Sequence, residues 1–168
     1  YDVWLPLSAT GPVPHSAMYY ADESQSRGVN ARGSFSDGDP DTDADTYDGR
    51  RMDEDWFAIE VPEAVVVGRV IYRHGRTHDN GGWFDASSSK PRVEVRRTHR
   101  GAWETIASLD AYPATDGEHD PGLAPGQPFE VRFPPVRIFG IRIIGRPAHG
   151  NGPAQSFSSC AEIEAYAP

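Results

Sequence analysis

Residues 36–61 read SDGDPDTDADTYDGRRMDEDWFAIEV, an acidic stretch that leads directly into an apolar one. Its first part places six aspartates in one short segment, where their charges repel one another unless a cation lies among them. These are Asp37, Asp39, Asp41, Asp43, Asp45 and Asp48. Pro40 and Gly38 disfavour a helix here, and the alternation over 55–61 predicts a strand. The stretch therefore predicts a cation-binding loop that runs into a β-core.

Calcium is the cation that such a loop suits best, because carboxylate oxygens are its preferred ligands. The loop is not an EF-hand: counting from Asp41, the position that requires glycine is Thr46 and the bidentate glutamate position is Met52. The alternative is an acidic loop that is solvated and holds no metal.

Glycine and proline are abundant in this chain, which has 17 and 15 of them among 168 residues. That frequency favours a loop-rich all-β fold, and no segment has sustained helical periodicity. Strand-like runs follow one another instead, at 55–61, 68–73, 91–97, 102–106, 129–133, 137–144 and 160–166. They predict a sandwich of two antiparallel sheets in a single domain over 1–168, with 1–35 irregular and the segment 1–30 the least defined.

The net charge of −9 is confined to the first third of the chain. Residues 1–60 hold thirteen acids and four bases, and the remainder holds twelve of each. No basic face for nucleic acid is expected, and no apolar run is long enough to span a membrane. The lone Cys160 predicts a small buried side chain with no disulfide. A start at Tyr1 without a methionine suggests a module of a larger protein.

The order of motifs resembles a known family. The chain contains, in this order, an Asp37-Gly38-Asp39 element, a strand that begins at a tryptophan and a central valine-rich pair. These are followed by a G-x-W turn at 101–103, an arginine-bearing late strand and the ending AEIEAY at 161–166. Over about residues 30–168 this resembles the coagulation factor V/VIII C-type, or discoidin, domain. Within it, the chain is most similar to family 32-type carbohydrate-binding modules of bacteria.

The resemblance implies a jelly-roll sandwich with a structural calcium ion that joins the aspartate loop to the last strand. It carries the ligand role to Asp37 and Asp39, to Thr42 or Thr46, and to Glu162, with Glu164 as an alternative register. The extra aspartates leave open which of residues 37–48 bind the ion. Such a site stabilises the fold and need not touch a ligand.

A second unusual loop, HGRTHDNGGWFD at 74–85, mixes aromatic, charged and amide side chains around three glycines. Sugars need that mixture, because a ring stacks on their C–H face while polar groups bond their hydroxyls. The candidate sugar contacts are His74, Arg76, His78, Asp79, Asn80, Trp83 and Phe84.

Each of these candidates also has a purely structural interpretation. Trp83 and Phe84 are aromatic neighbours of a strand and could be core residues. Arg76 could pair with Asp79, and Phe157 could be a stacking ring or core. His74 and His78 have a metal-binding spacing only on a helix, which the glycines make improbable. Tyr112 and the segment 149–151 could line the same end of the fold.

The sequence contains no G-x-S-x-G elbow, H-E-x-x-H motif or phosphate loop. We therefore expect a non-catalytic carbohydrate-binding module that is covalently linked to a secreted enzyme and binds a poly- or oligosaccharide outside the cell. The alternatives are an adhesion or protein-interaction discoidin domain, and a stand-alone enzyme that acts on sugars. The sequence does not indicate which sugar or linkage is bound.

Overall fold

The structure is a computed structural model, and it describes residues 19–22, 26–30, 39, 41 and 43–168. These residues form eight strands and no helix. The strands are β1 (Tyr19–Asp22), β2 (Ser26–Asn30), β3 (Ala44–Asp45), β4 (Glu54–His74), β5 (Arg92–Arg96), β6 (Glu104–Ser108), β7 (Pro128–Gly145) and β8 (Ser159–Tyr166). Within this part of the chain, no helix is long and apolar enough to cross a membrane.

Two long strands, β4 and β7, connect the two layers of the fold. The first half of β4 pairs with β2 and with the end of β7, and the second half pairs with β8 and with the start of β7. The register of the β4–β7 pair shifts between Glu60 and Val65, beside Pro62, which has no amide proton to offer a ladder. β5 and β6 extend the first layer, and β3 extends the second. The predicted all-β jelly-roll sandwich is confirmed.

The pairing of β2 with β4 is parallel, whereas the other strand pairs are antiparallel. Its register places Arg27 opposite Asp55 and Gly28 opposite Trp56. A Cβ on Gly28 would lie 2.0 Å from the Trp56 indole ring, so only glycine lets this ring lie across β2. The parallel pairing therefore places the buried Arg27–Asp55 charges next to the Trp56 ring.

The core between the layers is built around aromatic side chains. Phe84 lies with its ring centroid 6.3 Å from that of Phe57, on the first half of β4, and 5.7 Å from that of Tyr72, on the second half. Tyr112 and Phe129 complete the cluster, with centroids 5.0 Å apart. Phe57, Tyr72 and Phe84 have no exposed surface, so this cluster joins the halves of β4 to the loops that follow it.

Arg27 forms the most heavily bonded ion pair in the described part of the chain. Its guanidinium donates to both carboxylate oxygens of Asp55 at 2.9 and 3.0 Å, to Asp48 at 2.6 Å and to the Ser156 carbonyl at 2.6 Å. Asp55 also accepts hydrogen bonds from the Thr46 hydroxyl and from the amide and hydroxyl of Ser158. This network joins β2, the acidic segment, β4 and the segment before β8.

The electrostatics of the network favour an ionised Asp55 at neutral pH. Burial raises the pKa of Asp55 to about 6, and the Arg27 charge with the Thr46 and Ser158 hydrogen bonds opposes that rise. Burial also opposes ionisation of Asp48, but hydrogen bonds from Arg50 and Arg27 outweigh it and lower its pKa. Both carboxylates are therefore charged and paired at pH 7.

The structure corrects two expectations about the strands. The segment 1–35 is not irregular throughout, because residues 19–22 and 26–30 form a hairpin that continues the first layer. The runs predicted at 129–133 and 137–144 are one strand, β7, and those at 55–61 and 68–73 are one strand, β4. Residues 1–18, 23–25 and 31–35 of the segment 1–35 lie outside the described residues.

Replacing Asp55 by Asn should destabilise the protein by about 3–5 kcal/mol, because it removes the buried carboxylate of the pair and leaves the Arg27 guanidinium with the partly exposed Asp48 as its counter-charge. The measurement is urea unfolding followed by tryptophan fluorescence. Asp53→Asn is the matched control: Asp53 is an exposed neighbour, and its replacement should change stability by less than about 0.5 kcal/mol. A loss of less than about 1 kcal/mol for Asp55→Asn would contradict the role given to this pair.

Candidate functional site

Three loops meet at one end of the sandwich. We name them loop A (residues 75–91, after β4), loop B (109–127, before β7) and loop C (146–158, before β8). Backbone hydrogen bonds connect them: the amides of 149 and 150 donate to the Gly117 carbonyl at 2.9 and 2.8 Å, and the Asn151 amide donates to the Asp79 carbonyl at 2.9 Å. The loops therefore form one connected surface.

Glycine at position 150 makes this close approach possible. Gly150 has φ +54°, and a Cβ there would lie 2.1 Å from the Asp79 carbonyl oxygen. Gln155 supports the same junction from below, because its side-chain amide donates to the carbonyls of Asn80 at 2.6 Å and of His149 at 3.2 Å. The position of loop C against loop A is thus fixed by backbone contacts and one buried amide.

A depression of about 550 Å³ lies between the three loops. We call it the histidine depression. Its polar walls carry three histidines and three carboxylates, namely His78, His119, His149, Asp79, Glu118 and Asp120. Asn151 and Thr77 also line it, and the edge of Trp83 contributes to its floor. The depression is rich in groups that can bond hydroxyls.

A second depression of about 250 Å³ lies on the other side of His78, and we call it the tyrosine depression. It is lined by Tyr47, His78, Asn80, Asp45 and Phe157. Tyr47 is 53% exposed and packs edge-on against Phe157, with ring centroids 5.2 Å apart. The support from Phe157 leaves the Tyr47 ring largely open to solvent, as a stacking platform requires.

Three of the predicted sugar contacts lie together at this surface. His78 and Gly81 exchange two backbone hydrogen bonds, of 2.8 and 3.1 Å, which form a tight turn at the tip of loop A. His78 lines both depressions, while Asp79 lines the histidine depression and Asn80 the tyrosine depression. Their contact with a sugar stays a prediction.

Three other predicted contacts are wrong, because their side chains are buried in the interior. His74 and Phe84 have no exposed surface, and Phe84 belongs to the aromatic core. Trp83 is 2% exposed and its indole donates to the Asp116 carbonyl at 2.8 Å, so it is a core residue and not a stacking ring. Phe157, 3% exposed, is also core. The structural interpretation of these aromatics is the correct one.

Arg76 points to the acidic segment and not to either depression. Its Nε lies 3.1 Å from Asp43 Oδ1, although 60% of its side chain is exposed. Burial raises the pKa of Asp43, Arg76 opposes that rise, and the neighbouring Asp45 adds to it. The pairing with Asp79 that the sequence suggested is therefore replaced by a pairing with Asp43.

The predicted calcium ligands divide into three groups. Asp37 and Thr42 lie outside the described residues. Glu162 is 2% exposed on β8 and accepts the Asp39 amide at 3.0 Å, so the acidic segment does approach the last strand. Glu164, the alternative register, bonds Arg73 and Tyr166 instead, each at 2.6 Å.

The hydroxyl of Thr46 is engaged by Asp55 and Ser158, so a calcium-ligand role for Thr46, through its carbonyl oxygen, stays a prediction. Its side chain is buried, and its hydroxyl bonds Asp55 while accepting the Ser158 amide at 3.1 Å. Among the described residues, no three His, Cys, Asp or Glu side chains are grouped so that they could hold a metal ion. In this part of the chain, the feature that suits a calcium ligand is the buried carboxylate of Glu162, which accepts the Asp39 amide of the acidic segment.

Sequence reasoning missed Tyr47 and His119, whereas the segment 149–151, suggested for this end of the fold, does line the histidine depression. Tyr47 stands in the acidic stretch, where its surroundings indicated only metal binding, and His119 is 41 residues from His78 in the chain. The one available signal was the length of the loop over 110–128, since long loops on a rigid scaffold often carry function.

Comparison with known proteins supports the fold. No protein-family model matches the sequence, and no curated protein matches it. Among solved structures, the module CpGH89CBM32-5 of Clostridium perfringens, in complex with GalNAc-β-1,3-galactose, matches with a TM-score of 0.57 and 15% identity over 92% of this chain and 99% of its own. The family 32 module of NanJ from C. perfringens, in complex with galactose, matches at 0.54 and 20% over 92% and 96%.

The chain has the fold of the family 32 carbohydrate-binding modules. A structure containing two such modules and the M60 catalytic domain of C. perfringens ZmpB also matches, with a TM-score of 0.57 and 17% identity over 90% of this chain and 14% of that one. The discoidin-like architecture that the sequence resembles is thereby confirmed.

His74 should make the stability of the protein depend on pH. Burial lowers the pKa of His74 to about 4, with Asp120 opposing the shift. As the pH falls below about 6.5, the unfolded chain therefore binds a proton that the folded chain does not. Lowering the pH from 7.5 to 5 should cost about 2 kcal/mol from this residue, and His74→Gln should remove that part of the pH dependence. Urea unfolding at both pH values measures it.

Ser88→Gln is the matched control for His74→Gln. Ser88 is an exposed side chain without a titratable group, so introducing the same glutamine there should leave the difference between the two pH values unchanged. Equal pH dependence in the wild type and His74→Gln would contradict a buried, neutral His74, whatever the absolute stability of the variant.

Proposed function

We propose that this protein is a non-catalytic carbohydrate-binding module that holds a glycan at the end of the sandwich formed by loops A, B and C. The observation that carries the proposal is Tyr47, an exposed ring beside His78, Asn80 and Asp45. A ring flanked by donors and acceptors is what a sugar needs, with its C–H face on the ring and its hydroxyls on the polar groups.

The exposed surface favours a sugar over a membrane or an apolar protein partner. Among the described residues, the exposed large apolar side chains are Tyr47 and Val66. They do not form a patch, because Val66 is on β4 next to the bend, whereas adhesion through loop tips would need several apolar side chains together. Most side chains that line the two depressions are polar.

We further propose that the module is covalently linked to a secreted enzyme and concentrates that enzyme on its polysaccharide by tethering. The structural relatives support this, since one of them contains two modules of this fold beside a catalytic domain. The affinity of the isolated module should be modest, because a shallow site with one stacking ring buries little area.

We also propose that the protein binds a structural calcium ion. Glu162 would contribute its carboxylate, and Asp37, Asp39 or Thr42 would contribute oxygen from the acidic segment. The support is a nearly fully buried carboxylate that lies against the Asp39 amide, in a segment rich in negative charge. When bound, the ion would supply charge neutralisation and would join the acidic segment to β8.

Tyr47→Ala should weaken binding to the recognised glycan at least tenfold, about 1.4 kcal/mol, because it removes the stacking surface. The measurement is isothermal titration against a glycan panel. Val66→Ala removes the other exposed large apolar side chain and should leave the affinity unchanged. Absence of binding to every glycan in the panel by the folded wild type would contradict the proposed function.

Chelator should lower the melting temperature of the wild type, because an ion that binds only the folded state stabilises it. In Glu162→Gln this effect of chelator should be lost. Glu164→Gln is the control: it makes the same charge change on the same strand, and it should keep the calcium-dependent shift even if its own stability falls. A wild-type melting curve that is unchanged by chelator, together with no bound calcium by elemental analysis, would contradict the proposed calcium site.

A further inference from the structure

The two depressions are halves of one surface, because they share a wall. His78 lines both of them, and its neighbours divide, with Asp79 lining the histidine depression and Asn80 the tyrosine depression. The hydrogen bonds between His78 and Gly81 hold this wall in a tight turn. A glycan that stacks on Tyr47 and continues beyond one ring therefore meets the histidine depression next.

The histidine depression has room and polar groups for a second sugar unit. It encloses about 550 Å³, more than twice the volume of the tyrosine depression. Asn151 is exposed at its rim, and its backbone is held against loop A by the hydrogen bond to Asp79. Its side-chain amide, carried on a fixed backbone, has donors and an acceptor that can bond sugar hydroxyls.

The histidine depression is acidic. Asp79, Glu118 and Asp120 line it, and none of them pairs with a cationic side chain within the described part of the chain. Asp120 accepts the Leu123 amide. Two guanidinium groups lie nearby: Arg51 donates to the Pro153 carbonyl at the rim at 2.7 Å, and Arg146 pairs with Asp85. The three carboxylates outnumber them and leave a negative potential, which repels an anionic ligand.

We propose that the histidine depression is a second sugar subsite, adjoining the one at Tyr47, and that it accepts a neutral or amino sugar unit and rejects an acidic one. This rests on the proposed function. The ligand is thus an oligosaccharide of at least two units, with a hexose or hexosamine and not a uronic or sialic acid in the second position.

Chain length tests the subsite. For the sugar selected by the panel, the matching disaccharide should bind the wild type at least fivefold more tightly than the monosaccharide. Asn151→Ala should remove most of that gain and leave monosaccharide affinity unchanged, while Tyr47→Ala should weaken both ligands. Ser88→Ala, an exposed loop A variant outside both depressions, is the control and should preserve the gain. Equal affinity for the two lengths would overturn the second subsite.

The charge of the second sugar unit tests the specificity of the second subsite. At pH 7.5, a disaccharide whose second unit carries a carboxylate should bind at least fivefold more weakly than its neutral counterpart. Asp79→Asn combined with Glu118→Gln should reduce that difference to less than about twofold, and 1 M NaCl should do the same for the wild type. Asp110→Asn, elsewhere in loop B, should not. Equal binding of the two ligands by the wild type would overturn the charge selection.

The two proposals fail in different ways. If the wild type binds monosaccharide through Tyr47 without a gain from a second unit, the sugar-binding function stands and the second subsite is wrong. If no mono- or oligosaccharide binds the folded protein, the sugar-binding function itself is wrong, and the second subsite with it.

Discussion

The buried ion pair between Arg27 and Asp55 is the interaction on which the rest of this structure depends. It lies where β2 and β4 run parallel, and its hydrogen bonds extend to Asp48 in the acidic segment and to Ser156 in loop C. Removing one partner of such a pair is costly, because the other is left charged and buried. One guanidinium thereby holds the early strand, the acidic segment and loop C in a single arrangement.

This arrangement creates the candidate binding surface. Because Asp48 and Thr46 are bound within the network, Tyr47 between them is directed outward, and Phe157 of loop C supports its ring. The contact of Gly150 with loop A then brings Asn151 and His149 beside His78. A scaffold contact in the interior thus determines which side chains are exposed at the loop end. It also explains part of the acidic sequence, since Arg27, Arg50 and Arg76 supply cations that the aspartates need.

The fold was predictable from the sequence, whereas the site was predictable only in part. Alternation in β5, β7 and β8 indicated a β-sandwich because period-2 burial is a local property. The stretch 74–85 was predicted to be a loop, and His78, Asp79 and Asn80 of that loop lie at the surface as expected. Trp83 and Phe84 were misassigned because an aromatic pair in a loop has the same local sequence whether it faces a sugar or the core. Tyr47 and His119 were missed because contacts between distant loops leave no local pattern.

The most direct test of this account is a sugar titration of the isotope-labelled protein, followed by backbone amide chemical shifts. The account predicts that the largest shifts fall in residues 45–49, 77–83, 117–120 and 149–157, and that the amides of β5 and β6 remain unchanged. Shifts concentrated on β5 and β6, or shifts confined to the acidic segment without loops A and C, would contradict a glycan site at the end of the sandwich.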